Sequence, residues 1–269
     1  MLVKLGIIGG GVMGEALLSR LIARAAYQPG DILISDPMQQ RREFLAKQYG
    51  VGVTGDNAKV AAATEVLLLA IKPQVFESVS AALPSPGQNG QIPVILSILA
   101  GVPLSKLERA FPGVPIVRSM PNTPATVGAG ITAIAPGTQV QPEHLDRAKT
   151  VLQAVGDVVQ VPESLMDAVT GLSGSGPAYV AIFIEALTDG GVRAGLPRPI
   201  AAQLALQTVL GTATLMQETQ LHPAELKDRV TSPGGTTIAG VAQLEKAGFR
   251  SACIEAVQAA TERSRQLGS

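Results

Sequence analysis

Through the first 160 residues, short continuous apolar runs alternate with stretches whose apolar positions recur at helical spacing. KLGIIG (4–9), DILIS (31–35), EVLLLAI (65–71), IPVILSI (92–98) and VPIVRSM (114–120) have strand length. They lack the in–out alternation of a strand with one wet face, as expected of strands buried on both sides. GVMGEALLSRLIARA (11–25) and QQRREFLAKQY (39–49) read as helices between them, and ITAIAP (131–136) and DVVQVP (157–162) as shorter strands. The alternation predicts a doubly wound α/β sheet over residues 1–160.

After Pro162 the strand signal stops. Residues 164–172, 177–196, 197–219, 222–230 and 249–267 all carry helical patterns, with Pro177, Pro197 and Pro223 near helix starts, where a missing N–H costs nothing. Residues 161–269 are therefore expected to form an all-helical domain. Its segments between 178 and 219 are apolar nearly all round and must be buried on most faces. Either helix alone is consistent with a central core helix; the two together point to packing against another subunit. One stretch breaks the pattern: VTSPGGTTIAG (230–240) sets a proline and two glycines among hydroxyl residues.

Composition narrows the class. Hydrophobic residues make up 46% of the 269 and charged residues 16%, so a well-covered core is available. Acidic and basic residues balance at 21 each with no basic run, which gives no footprint for nucleic acid or an anionic membrane. Cys253 is the single cysteine, so neither an intramolecular disulfide nor a thiolate cluster for structural zinc is available. MLVKLGIIGGG at the start reads as a first strand rather than a signal peptide. The apolar runs at 66–71 and 93–104 fall short of the ~20 residues that span a bilayer. The expectation is a soluble cytoplasmic protein.

GIIGGGVMGEAL (6–17) places Gly9, Gly11 and Gly14 in G-x-G-x-x-G spacing, after a strand and at the start of a helix. Gly9 permits the tight turn, Gly11 the close approach of a pyrophosphate, and Gly14 the packing of helix on strand. The helix start adds free N–H groups and a positive dipole end. Asp36, ending the second strand, has the place of the acid that accepts hydrogen bonds from the NAD ribose. Arg41 and Arg42 follow within reach of a 2′-phosphate, so the reading leans towards NADH and leaves NADPH open. Lys72, in AIKPQ (70–74), and the stiff loop in RSMPNTPATVGAG (118–130) lie at further strand ends, where the cofactor is expected.

The chemistry that remains is limited. His144 and His222 are the only histidines, the first on a surface helix and the second before Pro223 at a helix start. No lysine occurs between Lys149 and Lys227, so the helical domain lacks the lysine of hydroxyacid dehydrogenases built on a similar plan. Reduction of a C=N bond suits such a site: a protonated imine needs hydride and orientation more than a strong base.

In order along the chain, GIIGGGVMGEAL, AIKPQ, RSMPNTPATVGAG, GLSGSGPAYV (171–180) and above all ELKDRVTSPGGTTIAGVAQLE (225–245) resemble pyrroline-5-carboxylate reductase. The resemblance implies a Rossmann-like amino-terminal domain, an all-α carboxy-terminal dimerisation domain, and reduction of 1-pyrroline-5-carboxylate to L-proline with NADPH or NADH. Carried over by position, Gly9, Gly11, Val12, Met13 and Gly14 would hold the pyrophosphate, and Ser35 and Asp36 the adenosine ribose. Asn57, Ala70, Lys72 and Pro73 would line the cofactor, with Met120, Pro121 and Asn122 beside the nicotinamide. Ser232, Gly234, Gly235, Thr236 and Thr237 would hold the substrate.

Physical chemistry agrees with the last assignment. Consecutive N–H groups at Gly234–Gly235 and the positive end of the following helix can bind a carboxylate without any arginine. A threonine hydroxyl can turn to meet the ring nitrogen; Thr237 is the expected catalytic contact and Thr236 its competitor. The alternatives are a β-hydroxyacid dehydrogenase-like enzyme and a non-catalytic dinucleotide-binding sensor on the same fold. No metal site is expected, and the expected partners are a small-molecule substrate and further copies of the chain.

Overall fold

The computed structural model describes residues 3–87 and 90–268; the expected outer limits of the two domains, residues 1 and 269, lie outside them. Eight strands form one sheet: β1 (Leu5–Ile8), β2 (Ile32–Ser35), β3 (Gly52–Thr54), β4 (Val66–Leu69), β5 (Val94–Ser97), β6 (Ile116–Met120), β7 (Gly130–Pro136) and β8 (Gly156–Gln160). Their order is β3-β2-β1-β4-β5-β6-β7-β8, parallel throughout except for the antiparallel β6–β7 pair. The reversal in chain order beside β1 is the topological switch point, where ligands of such sheets bind.

The helices of this part are α1 (Val12–Ala23), α2 (Gln39–Tyr49), α3 (Asn57–Val60), α4 (Phe76–Ala82), α5 (Leu104–Ala110) and α6 (Pro142–Gln153). They cover both faces. Leu17, Leu18 and Leu21 of α1, Leu45 of α2 and Val151 of α6 share one core cluster with Ile7, Leu68 and Leu96. Val60, Phe76 and Leu107 share the other with Ile8, Leu67 and Ile95. Adjacent strand residues thus enter opposite cores, which explains the continuous apolar runs. Each such leucine or isoleucine contributes about 1.5–3 kcal/mol on burial.

The remaining helices are α7 (Met166–Val169), α8 (Gly176–Arg193), α9 (Arg198–Thr219), α10 (Pro223–Arg229), α11 (Thr236–Lys246) and α12 (Phe249–Gly268). The helix expected over 164–172 is more irregular: a 3₁₀ turn, then α7, then a π-helical turn at Thr170–Gly174. Thr170 Oγ1 and Ser173 Oγ donate to the carbonyls of Met166 and Val169, four residues back, a side-chain bond that loosens regular helix. The composition shift near 160 coincides with the end of β8, whereas the first compact unit continues to Gly174 and takes in the chain from Ala259 onward. Ser264 Oγ of α12 donates to Asp167 Oδ1 at 2.7 Å within that unit.

The second compact unit, 175–258, is all helical. Within it α8 packs on α9, where Gly191 lets Ala201 approach. Apolar side chains elsewhere on both helices stay open, including Ile182, Leu204, Leu206 and Leu210. By length and composition α9 could cross a membrane, and only 11% of its most apolar window is buried. This corrects the sequence reading, which weighed only the runs at 66–71 and 93–104; glutamines and threonines interrupt the apolar positions of α9.

Candidate active site

The turn from β1 into α1 leaves a hollow lined by backbone. Gly9 has φ +106°, a left-handed conformation, and a Cβ there would lie 2.5 Å from the Ala70 carbonyl oxygen. A Cβ on Gly14 would lie 2.2 Å from the Gly9 carbonyl oxygen, so that glycine seats α1 against the turn. A Cβ on Gly11 would meet nothing within 4 Å. Close packing thus accounts for Gly9 and Gly14, whereas Gly11 faces open space. Gly11 caps α1 without a side-chain hydrogen bond, so the first N–H groups of the helix remain available to an anion. Val12 is exposed at this helix start and Met13 packs partly into the core. A dinucleotide pyrophosphate fits this cradle.

At the neighbouring strand ends, Ser35 Oγ donates to Asn57 Oδ1 at 2.7 Å, joining β2 to the start of α3. Asp36 lies where the ribose acid was expected. Its Oδ2 accepts from the Gly10 N–H at 3.1 Å and its Oδ1 from the Met38 N–H at 2.9 Å. The carboxylate is thereby fixed between the glycine turn and the start of α2, with lone pairs left for ribose hydroxyls.

The two arginines are engaged locally. Arg42 Nη1 donates to the carbonyls of Asp36 and Pro37, at 2.8 and 3.0 Å. Arg41 donates through Nε to the Gly10 carbonyl and through Nη2 to Glu15, forming an ion pair whose side chains are each 26% exposed. Tyr49 adds a 2.7 Å hydrogen bond to the other Glu15 oxygen. Burial raises the Glu15 carboxyl, but the hydrogen bonds from Tyr49 and Arg41 and the charge of Arg41 more than offset it and hold the group below its usual range. Burial, then the Glu15 hydrogen bond and charge, pushes the Tyr49 phenol up to about 12.

Ala70 closes the turn after β4, its N–H donating to the Ile8 carbonyl at 2.8 Å. Lys72 is exposed at the head of a short 3₁₀ turn that begins at Pro73. At the end of β6, Met120 is half-buried, Pro121 buried, and Asn122 heads the 3₁₀ turn Thr123–Val127. Asn122 Oδ1 accepts from the Ile131 N–H at 3.0 Å, which commits its carbonyl oxygen locally and leaves its amide nitrogen as the donor. Two residues before Met120, the buried Arg118 meets Glu163 Oε1 at 2.9 Å, and the same oxygen takes the Leu104 N–H at 2.6 Å. The strand bearing Met120 is therefore held by a hydrogen-bonded charge pair rather than by packing alone.

The break at 230–240 in the helical unit is a turn followed by a helix start. The Gly235 N–H donates to the Ser232 carbonyl at 3.0 Å, and Gly234 takes φ +67° at the third position of that turn. Gly235 caps α11 with no side-chain hydrogen bond. The N–H groups of Thr236, Thr237 and Ile238 thus begin a helix without a capping side chain. Thr237 is half-buried and Thr236 exposed, and among the described residues neither hydroxyl has a hydrogen-bond partner. Both histidines serve helix starts: Nδ1 of His144 accepts from the Gln141 N–H, and Nδ1 of His222 from the Ala224 N–H.

Comparison with known proteins finds two matching families, one of which runs across the limits of the compact units at Gly174 and Ala259. A family described as pyrroline-5-carboxylate reductase dimerisation matches residues 163–267, and one described as NADP oxidoreductase, coenzyme F420-dependent, matches 4–101. A pyrroline-5-carboxylate reductase from Synechocystis is 62% identical over 268 residues, covering 100% of this chain and 99% of that protein. The chain belongs to the pyrroline-5-carboxylate reductase family. The pyrroline-5-carboxylate reductase of Escherichia coli is 40% identical over 98% of both chains. Among solved structures, the reductase of Coxiella burnetii superposes with a TM-score of 0.90 at 33% identity, covering 100% of each chain. That of Plasmodium falciparum, with NADP bound, gives 0.88 at 31% identity, covering 99% of this chain and 98% of its own. A Rossmann-like sheet domain followed by a helical dimerisation domain is the architecture of this family.

Within this reductase fold, the expected Gly9–Gly14, Ser35, Asp36, Asn57 and Ala70 gather at the carboxyl ends of β1, β2 and β4. Ser232–Thr237 belong to the other compact unit. The sequence reading missed Gly10, Glu15 and Tyr49. Glu15 was accessible to it: it is the one acid in the helix after the glycines, and α2 opposite carries two consecutive arginines.

Proposed function

We propose that this protein reduces 1-pyrroline-5-carboxylate to L-proline with NADPH or NADH, the last step of proline biosynthesis. The observation that carries the reading is the full-length identity to reductases of that name, spanning the glycine turn and the S-P-G-G-T-T break alike. The bound dinucleotide supplies the hydride. The chain binds its pyrophosphate at Gly9, Gly11, Val12, Met13 and Gly14, and its adenosine ribose at Ser35 and Asp36. Asn57, Ala70, Lys72 and Pro73 line it, and Met120, Pro121 and Asn122 flank the nicotinamide.

Ser232, Gly234 and Thr236 hold the substrate carboxylate through backbone N–H groups and hydroxyls, each worth roughly 1.5–3 kcal/mol towards a charged group. Gly235, whose N–H closes the turn on the Ser232 carbonyl rather than facing the substrate as the sequence suggested, leaves room for the Ser232 hydroxyl. Thr237 orients the ring nitrogen through its hydroxyl, which lets the C=N carbon face the hydride donor without a strong base. In this reading residues 1–160 serve the nucleotide, and residues 161–269 serve the substrate and the self-association that the dimerisation match supports. The open faces of α8 and α9 are its dimer surface, which also explains an apolar helix in a chain expected to be cytoplasmic and free of nucleic-acid or membrane partners.

Thr237→Ala tests the substrate assignment. Turnover is expected to fall at least tenfold while the Kd for the nucleotide, measured without substrate, stays within about twofold. Weakened nucleotide binding with normal turnover would move Thr237 out of the substrate site.

A further inference from the structure

We propose that Glu15 is a coenzyme-selecting residue: by pairing with Arg41 it weakens the site's hold on a 2′-phosphate and tilts it towards NADH. The inference rests on the nucleotide-binding part of the function proposed above.

Arg41 is anchored at the adenosine end. Its Nε bonds the carbonyl of Gly10, the same residue whose N–H holds the Asp36 carboxylate. A guanidinium there would ordinarily serve a 2′-phosphate, since its planar fork suits phosphate oxygens. Glu15 takes Nη2 of that fork, and Tyr49 fixes Glu15 from the far side. Partial burial keeps this pair from being screened as a surface pair would be.

The balance of charge follows. Asp36 presents a carboxylate to the ribose hydroxyls, while Asp56 at the next strand end caps Ala58. Arg42 has no carboxylate partner among the described residues, and its Nη1 buttresses the Asp36–Pro37 turn. An arriving 2′-phosphate therefore meets Asp36 and one uncancelled arginine, where two follow in sequence. NADH and NADPH bring the same pyrophosphate to the glycine turn, so only the 2′-phosphate of NADPH feels the Glu15–Arg41 pair selectively. Glu15 lies in the first turn of α1, one residue past Gly14, and the pair also ties α2 to the glycine turn.

The test is a double-mutant cycle on the full chain, with Kd for NAD⁺ and NADP⁺ measured by calorimetric titration without substrate. Glu15→Gln removes the charge; its amide oxygen can still accept from Arg41, and its NH2 then faces Tyr49, whose hydroxyl oxygen can accept in turn. It is expected to tighten NADP⁺ about tenfold and leave NAD⁺ within about twofold. In Glu15→Gln with Arg41→Ala the gain is expected to vanish. Arg41→Ala alone leaves the Glu15 carboxylate uncompensated and is expected to weaken NADP⁺ about tenfold, with the double variant, which restores the charge, returning to about the wild-type value.

Tyr49→Phe removes a donor from Glu15 without changing charge and is expected to leave the NADP⁺/NAD⁺ ratio in place. A shift there as large as that of Glu15→Gln would assign the effect to helix packing and overturn the proposal. So would unchanged or weaker NADP⁺ binding in Glu15→Gln, an equal gain for both nucleotides, or a gain that survives loss of Arg41. If wild type binds both nucleotides but fails to turn over, the reductase reading fails and the cycle still decides this one. If neither nucleotide binds, both fail.

Discussion

Glu15 couples the ends of two helices through one carboxylate, and its titration carries that coupling into stability. Its folded carboxyl lies below its ordinary value, so the charged form is favoured in the folded state. The stabilisation is present above the unfolded value of about 4.5 and is lost as pH falls through the lower folded one. Thermal melting of wild type against Glu15→Gln is expected to show wild type ahead at neutral pH, with the gap closing below about 4.5. A pH-independent gap would contradict the ion-pair description. Gly11 permits a complementary test, since a Cβ there meets nothing within 4 Å. Gly11→Ala is expected to cost under about 1 kcal/mol in stability while weakening nucleotide binding at least tenfold, as melting and titration would show. At this scale the sequence revealed which glycines matter, because their spacing encodes a known backbone geometry. It did not reveal that Asp36 bonds Gly10 or that Glu15 claims Arg41, because such contacts depend on how two helices face each other.

Among the elements, strands buried on both faces were the most legible. Leu5–Ile8 and Val66–Leu69 have no wet side, and their composition says so without tertiary information. The strand Gly52–Thr54 escaped, for the converse reason: it is a short edge strand with an exposed glycine and a half-buried valine, and its pairing with β2 is not written in any apolar run. The π-helical turn at Thr170–Gly174 escaped because regular helix and π-turn share the same apolar spacing over so few residues. The junction of β1 and α1 makes the sharpest demand on a single side chain. Gly14→Ala would drive a Cβ into the Gly9 carbonyl, and the resulting shift of α1 is expected to cost at least about 1–3 kcal/mol, read as a fall in denaturation midpoint. A variant as stable as wild type would mean that α1 yields without cost.

Taken as a whole molecule, the chain has a sheet unit that is well covered and a helical unit that is not. Leu204, Leu206 and Leu210 are each more than half exposed on α9, a concentration that isolated domains avoid. Leu210→Glu is expected to lower the mass seen by light scattering towards that of one 27.6 kDa chain, whereas wild type is expected at two or more. An unchanged mass would place the self-association surface elsewhere. The apolar character of 178–219 was readable from the sequence; that these faces stay open within one chain emerges only from the packing of α8 on α9. The reductase function itself is tested most directly by following coenzyme oxidation and L-proline formation together, with 1-pyrroline-5-carboxylate supplied at neutral pH. The expected result is equimolar proline and oxidised coenzyme with NADH, NADPH or both. Tight coenzyme binding with no substrate-dependent oxidation of either would contradict it.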